Sequence, residues 1–263
     1  MARISDNRII RKLAGKVSTQ AGRLFMPPIC VHCEGERWKG TPLCLTCHRR
    51  LAPIRSPVCE TCGIPACGSP HDDWNYPFHS TRFLFRMGRE LGALIHGFKY
   101  RHYRRHIHVL CAQIRYRPDL IAYMNGYDAL VPVPLHASRL RERGYNQAEA
   151  LGAVLAETTG TPLLSTALRR IRGTGTQTRL GKGGRQANLE GAFACPRPES
   201  VKGLRILLID DVFTTGATAS ECARTLLKAG CSETALLALA RVEANPVQDD
   251  FRLEMELAAG YCL

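Results

Sequence analysis

Residues 204–230, LRILLIDDVFTTGATASECARTLLKAG, decide how the rest of the chain is read. Residues 206–209 are a short continuous apolar run, the pattern of a strand buried on both faces. Asp210 and Asp211 follow it, and then five small or hydroxyl residues, Thr214, Thr215, Gly216, Ala217 and Thr218. A helix closes the unit, with Cys222, Leu226 and Ala229 on one face and Gly230 at the position of a C′ glycine. A buried strand, an acidic pair, a small loop and a helix make a ligand site at the carboxyl edge of a parallel sheet.

The chemistry of such a site follows from its parts. Gly216 lets the backbone approach an anion, the loop N–H groups converge on it, and the helix N-terminus adds about half a positive charge. The carboxylates would repel that same anion, so the ligand needs two ends. A sugar phosphate has them: its phosphate suits the loop, while its hydroxyls, or a Mg²⁺ ion, suit Asp210 and Asp211. The alternative is an ordinary strand–turn–helix with N-capping threonines.

These residues resemble the phosphoribosyl-pyrophosphate (PRPP) signature of type I phosphoribosyltransferases, four apolar residues, two acids and T-T-G-x-T. The resemblance implies that Asp210 and Asp211 hold the ribose hydroxyls and that residues 214–218 wrap the 5′-phosphate.

The whole chain sets the frame. At 263 residues it can bury one large domain, or a large and a small one. A 45% hydrophobic and 22% charged composition is that of a globular protein, and the net charge of +13 favours anionic partners, polyphosphate or nucleic acid. No apolar run has the length of a membrane span, and no secretory signal pattern is seen, so a cytoplasmic location is expected.

Twelve cysteines might suggest disulfides, but seven fall between Cys30 and Cys67, mostly as C-x-x-C pairs. In a reducing compartment that pattern is metal binding. Cys30, Cys33, Cys44 and Cys47 offer four soft donors for a closed structural Zn²⁺ site. Cys59, Cys62, Cys67 and His71 offer a second set, with His79 as a competing fourth ligand. A segment this short and rich in Pro and Gly needs such a staple to fold.

Around these features the chain divides into three. Residues 1–28 are expected to hold an amphipathic helix over about 8–25. Residues 29–79 form a cysteine-rich zinc-binding region, and 80–263 the larger α/β domain. Phe83 and Phe85 alternate with Arg82 and Arg86 as in a strand, and a helix from Arg89 turns Leu91, Leu94, Ile95 and Phe98 inward. Between Arg82 and Arg117 stand nine Lys or Arg against one Glu. Within that run Tyr100, Arg101, Tyr103, Arg104 and Arg105 form either a solvated basic face or a surface for single-stranded nucleic acid, the tyrosines stacking on bases. Residues 127–134, YDALVPVP, are a strand halted by prolines. Arg139, Arg141 and Arg143 stand at the next strand-to-helix junction, where they could contact anions. The Gly- and Arg-rich residues 169–188 lack the register of a P-loop and suit either a basic lid or a plain connector. Residues 234–240 give a last apolar strand.

Read in order, the motifs resemble the ComF family of competence protein F-like proteins. They comprise the paired C-x-x-C motifs, F-K-Y at 98–100, V-P-V-P-L-H at 131–136, R-x-R-G-Y-N-Q at 141–147 and R-x-R-x-T-x-x-Q-x-x-L at 170–180. Arg185, Asn188, Gly191, Phe193 and the PRPP-like stretch complete them. One departure stands out. Relatives often carry a further C-x-x-C after the Cys59 pair, whereas here Cys67 stands alone, which either removes the second metal site or shifts its last ligand to His71.

The resemblance implies a type I phosphoribosyltransferase-like parallel sheet flanked by helices, preceded by a small zinc-binding region. It implies a link to DNA uptake or utilisation, or to nucleotide metabolism, with no defined acceptor base. Asp210 and Asp211 would act on ribose and Mg²⁺, and Lys99, Arg139 and Arg143 on pyrophosphate. Two other readings fit the same residues: a noncatalytic adaptor for single-stranded DNA and the uptake machinery, and a PRPP-sensing regulator.

Overall fold

The computed structural model describes residues 29–38, 40–68, 70–100, 105–173 and 189–242. The expected N-terminal helix, Arg101, Tyr103 and Arg104 of the basic run and residues 174–188 of the expected lid lie outside these. By compactness the chain divides after Arg50, into units 1–50 and 51–263.

The smaller unit is built on turns. Ile29 bridges Glu36 in antiparallel fashion, and helix α1 (Leu45–Arg49) follows. Cys44 caps that helix, its sulfur accepting the N–H of Cys47.

The larger unit is a five-stranded sheet in the order β1-β2-β7-β6-β3. Its strands are β1 (Ala52–Pro53), β2 (Thr81–Arg86), β3 (Ala129–Pro132), β6 (Arg205–Phe213) and β7 (Glu233–Arg241), while β4 (Arg169–Arg170) and β5 (Phe193–Ala194) form a separate antiparallel pair. All pairings in the main sheet are parallel except β1 on β2. Its helices are α2 (Arg89–Tyr100), α3 (Arg105–Cys111), α4 (Pro118–Asn125), α5 (Ala137–Arg143), α6 (Gln147–Thr159) and α7 (Ala217–Lys228).

Strand positions follow from composition. Residues 206–209 of β6 and 235–238 of β7 are fully buried, as central strands covered on both faces must be. β3 ends on Pro132 and lies at the sheet edge, the place where a missing N–H costs least. The apolar face of α2 is buried at Leu91, Leu94, Ile95 and Phe98, as its spacing predicts. β2 departs from the expected alternation: all of residues 81–85 are buried, Arg82 included. The Arg82 guanidinium lies 4.5 Å from the centroid of the Tyr123 ring on α4, a cation–π contact that lets an arginine sit inside.

Candidate functional site

β6 enters the core at Ile206 and leaves it at the acidic pair. Asp210 Oδ1 accepts the N–H of Asp211 at 2.8 Å. Asp211 is met from α2, where Lys99 Nζ lies 2.7 Å from its Oδ2, with both side chains about one-sixth exposed at 16% and 17%. Burial alone would raise the Asp211 carboxyl, but the charges of Lys99 and Arg143 outweigh it and hold it below its ordinary value. At Asp210 the charge of Lys99 acts in the same direction but is outweighed. Burial and the charge of Asp211 push it up to about 8. The pair presents oxygens to a cation or a diol.

The loop after β6 is fixed by aromatic packing. Gly216 caps α7 in the left-handed conformation, at φ 72°, and its carbonyl accepts the N–H of Ser220 at 2.8 Å. A Cβ there would stand 2.7 Å from both Phe213 Cε2 and Tyr76 Cε1. Tyr76 comes from the cysteine-rich segment, stacks on Phe78 at 5.0 Å and meets Phe213 edge-on at 5.8 Å. Thr214 is exposed, and Thr215, Ala217 and Thr218 are half-buried around the start of α7. Gly230 has φ 95°, the left-handed conformation expected just past the helix.

The basic candidates divide. Lys99 sits on the acidic pair. Arg143 is buried at the end of α5, its charge acts on Asp211, and its NH1 donates to Gln147 Oε1 at 3.2 Å. Gln147 is buried too, and its Nε2 finds no hydrogen-bond partner among the described residues. Arg139 is exposed on α5. Arg101, Tyr103 and Arg104 fall outside the described residues, as do the side chains of Tyr100 and Arg105. Two residues that sequence reasoning missed hold the site together. Tyr76 packs over Gly216, and Tyr145 donates from its hydroxyl to the Phe98 carbonyl, tying the α5–α6 turn to the residue before Lys99. No local pattern signals either contact.

Both cysteine sets assemble. In each, the four ligand atoms lie within 4.8 Å of one another: Cys30, Cys33, Cys44 and Cys47, and Cys59, Cys62, Cys67 and His71. Cys33 Sγ and Cys44 Sγ are 3.7 Å apart. A tetrahedron with Zn–S bonds of about 2.3 Å has edges of roughly 3.8 Å, so the first set fits zinc. In the second set His71 Nε2 lies 3.0 Å from Cys59 Sγ and 3.3 Å from Cys67 Sγ.

The two knuckles share one backbone plan. The residue after each second cysteine has positive φ, 60° at Glu34 and 66° at Gly63. Its N–H returns to the first cysteine's carbonyl at 3.0 Å in both cases. Backbone N–H groups also favour the thiolates. Those of Cys62 and Thr61 lower Cys59 to about 6, and Cys30 falls to about 7 because the N–H groups of Cys33, Cys44 and His32 overcome its burial. Burial and neighbouring thiols push Cys62 up to about 12, so full ionisation of a set requires a cation.

His79, the competing ligand, belongs elsewhere. Its Nδ1 lies 3.1 Å from the Thr234 carbonyl oxygen and 3.2 Å from Glu233 Oε1, and its Nε2 lies 3.0 Å from Ser80 Oγ. The start of β7 claims this imidazole, and the metal set closes on His71 instead.

Fold and site define a two-part protein: a unit of paired cysteines set to hold metal, then a mostly parallel sheet ending in an acidic pair and a glycine-capped loop. Residues 21–76 match the double zinc ribbon domain. The DNA utilization protein YhgH of Salmonella typhi is 30% identical over 235 residues, which cover 83% of this chain and 99% of that protein. Competence protein F of Haemophilus influenzae is 29% identical over 227 residues, 81% of this chain and 96% of its own length. The chain belongs to the ComF family, together with these DNA utilization and competence proteins. Among solved structures, the glutamine PRPP amidotransferase from B. subtilis complexed with ADP and GMP is 18% identical over 43% of this chain and 22% of its own, with a TM-score of 0.29. Among the described residues no helix is long and apolar enough to cross a membrane.

Proposed function

We propose that the protein binds PRPP at the carboxyl end of β6 and serves DNA uptake or utilisation as a phosphoribosyltransferase. The observation that carries this reading is the acidic pair set directly before a loop whose glycine cap is fixed by Phe213 and Tyr76. Asp210 and Asp211 accept the ribose 2′ and 3′ hydroxyls. Thr214, Thr215, Gly216, Ala217 and Thr218 cradle the 5′-phosphate at the N-terminus of α7. Lys99, Arg139 and Arg143 are the candidates for pyrophosphate, and the unpartnered Nε2 of Gln147, whose Oε1 accepts from Arg143, offers a further donor.

The carboxylates are hard oxygen donors, which fits Mg²⁺. Asp210 and Asp211 would hold such an ion, which would supply charge neutralisation for a pyrophosphate leaving group. The chain's own residues position C1 of the ribose and clamp charge, which is what an oxocarbenium-like displacement needs. Calorimetric titration of PRPP with Mg²⁺ tests the assignment. Replacing both acids, Asp210→Asn with Asp211→Asn, is expected to abolish the heat signal, and undiminished binding would reject the site.

A second reading keeps the fold without turnover, as an adaptor for single-stranded DNA. The net charge of +13 and the names of the relatives favour it. It requires single-strand affinity that falls steeply with salt, and a flat salt dependence would dismiss it.

A further inference from the structure

The larger unit holds a cavity of about 330 Å³ beside the first half of β2. Its wall takes Arg82 and Phe83 from β2, level with Leu237 and Ala238 at the middle of β7. None of the residues that line it is among those proposed to hold PRPP.

Its apolar walls are Ile54, Val58, Phe83 and Leu120. Its charged walls are two arginines in different circumstances. Arg117 is closed on Asp119, donating from Nε at 2.9 Å and NH2 at 2.8 Å, and Ser56 Oγ adds a third bond to that carboxylate at 2.6 Å. Arg82 is only 9% exposed, and its NH1 donates to the carbonyls of Glu60 at 2.8 Å and Thr81 at 2.9 Å. Its carboxylate partner is Glu60 Oε2 at 2.7 Å, on a side chain 93% exposed to water.

That pairing is unequal. A buried guanidinium gains most from an anion that is itself desolvated. A carboxylate standing in water, on a side chain with free rotamers, is a weak partner. An acid entering from the cavity would meet Arg82 out of water and would have an apolar wall for its remainder.

We propose that this cavity is a second binding site, for a small organic anion. Its carboxylate or phosphate head takes the place of Glu60 on Arg82, and its ring-sized apolar body packs against Phe83 and Leu120. Tyr123, another residue of the wall, holds the guanidinium against its ring. Glu60 stands between Cys59 and Cys62, so the head group exchanges with a side chain of the second metal knuckle.

The test is calorimetry on the zinc-loaded full chain with 2-naphthoate, its neutral isostere 2-naphthamide, and 2-naphthyl phosphate. At least one of the two anions is expected to bind, and the amide about tenfold more weakly or worse, because it offers Arg82 no charge. Glu60→Gln removes the internal competitor and is expected to tighten anion binding by about two- to fivefold, within the range of an exposed ion pair. As Glu60 is exposed, this variant keeps the fold. Leu120→Trp, which fills the cavity, abolishes binding. No binding of either anion, equal binding of acid and amide, weaker or unchanged binding in Glu60→Gln, or displacement of the probe by PRPP would each overturn the proposal.

Discussion

Replacing Gly216 with alanine measures how firmly the phosphate loop is set. Two costs add at this position. The left-handed conformation, φ 72°, costs an L-residue about 1–2 kcal/mol. The new methyl would also stand 2.7 Å from two ring carbons, Phe213 Cε2 and Tyr76 Cε1. Overpacking of that kind costs about 1–3 kcal/mol, because both rings are held by Phe78. The sum is about 2–5 kcal/mol, and a domain of this size loses roughly 2–4 °C of melting temperature per kcal/mol. Gly203 is the internal control, with a similar φ of 75° and nothing within 4 Å of its Cβ position. Gly203→Ala should show the conformational cost alone. Thermal melting by circular dichroism reads both variants, and PRPP titration reads the loop. Equal losses in the two variants would refute the clash with Phe213 and Tyr76. A Gly216→Ala protein that melts and binds like the parent would refute the whole account.

Three further outcomes follow from single contacts. Lys99→Ala leaves Asp211 without its cation in a partly buried place, at a cost of roughly 1–3 kcal/mol; Mg²⁺ should then raise the melting temperature more in this variant than in the parent, and an equal shift would separate Lys99 from the cation site. Metal analysis should find zinc bound at both cysteine sets, with Cys33→Ser and Cys67→Ser each losing one ion, and loss of both ions from either variant would show that the sets are not independent. Arg117 holds the Asp119 carboxyl well below its ordinary value, helped by Ser56, so its contribution is complete above the unfolded pKa of about 4 and fades as pH falls below that. Asp119→Asn should therefore be less stable than the parent at pH 7, with the gap closing in acid; a gap independent of pH would assign the effect to packing.

Much of the site was legible because its signals are local. The run 206–209, the acids after it and Gly216 lie within a dozen residues, and their spacing carries their geometry. The first cysteine set is equally plain, since a C-x-x-C knuckle closes on its own backbone. The second set was legible as Cys59, Cys62, Cys67 and His71, with His79 left as a competitor. His71 and His79 are both near enough in sequence, and the choice is made by Glu233 and Thr234, which hold His79 from more than 150 residues away. β2 shows the opposite failure, where alternation made Arg82 look outward. Its burial depends on a ring in α4 and on carbonyls of the metal knuckle, which no strand pattern contains.

The sequence by itself determined the strand–acid–loop–helix unit and the donor pairs, because periodicity and short spacing fix which atoms a local backbone can present. Only the tertiary structure decided what faces them. The sheet order β1-β2-β7-β6-β3 places β6 between β7 and β3. Within that arrangement Lys99 of α2 reaches Asp211, and Tyr76 closes over Gly216. These contacts join residues more than a hundred positions apart, and their energies arise from burial and charge pairing that exist only once the sheet has assembled.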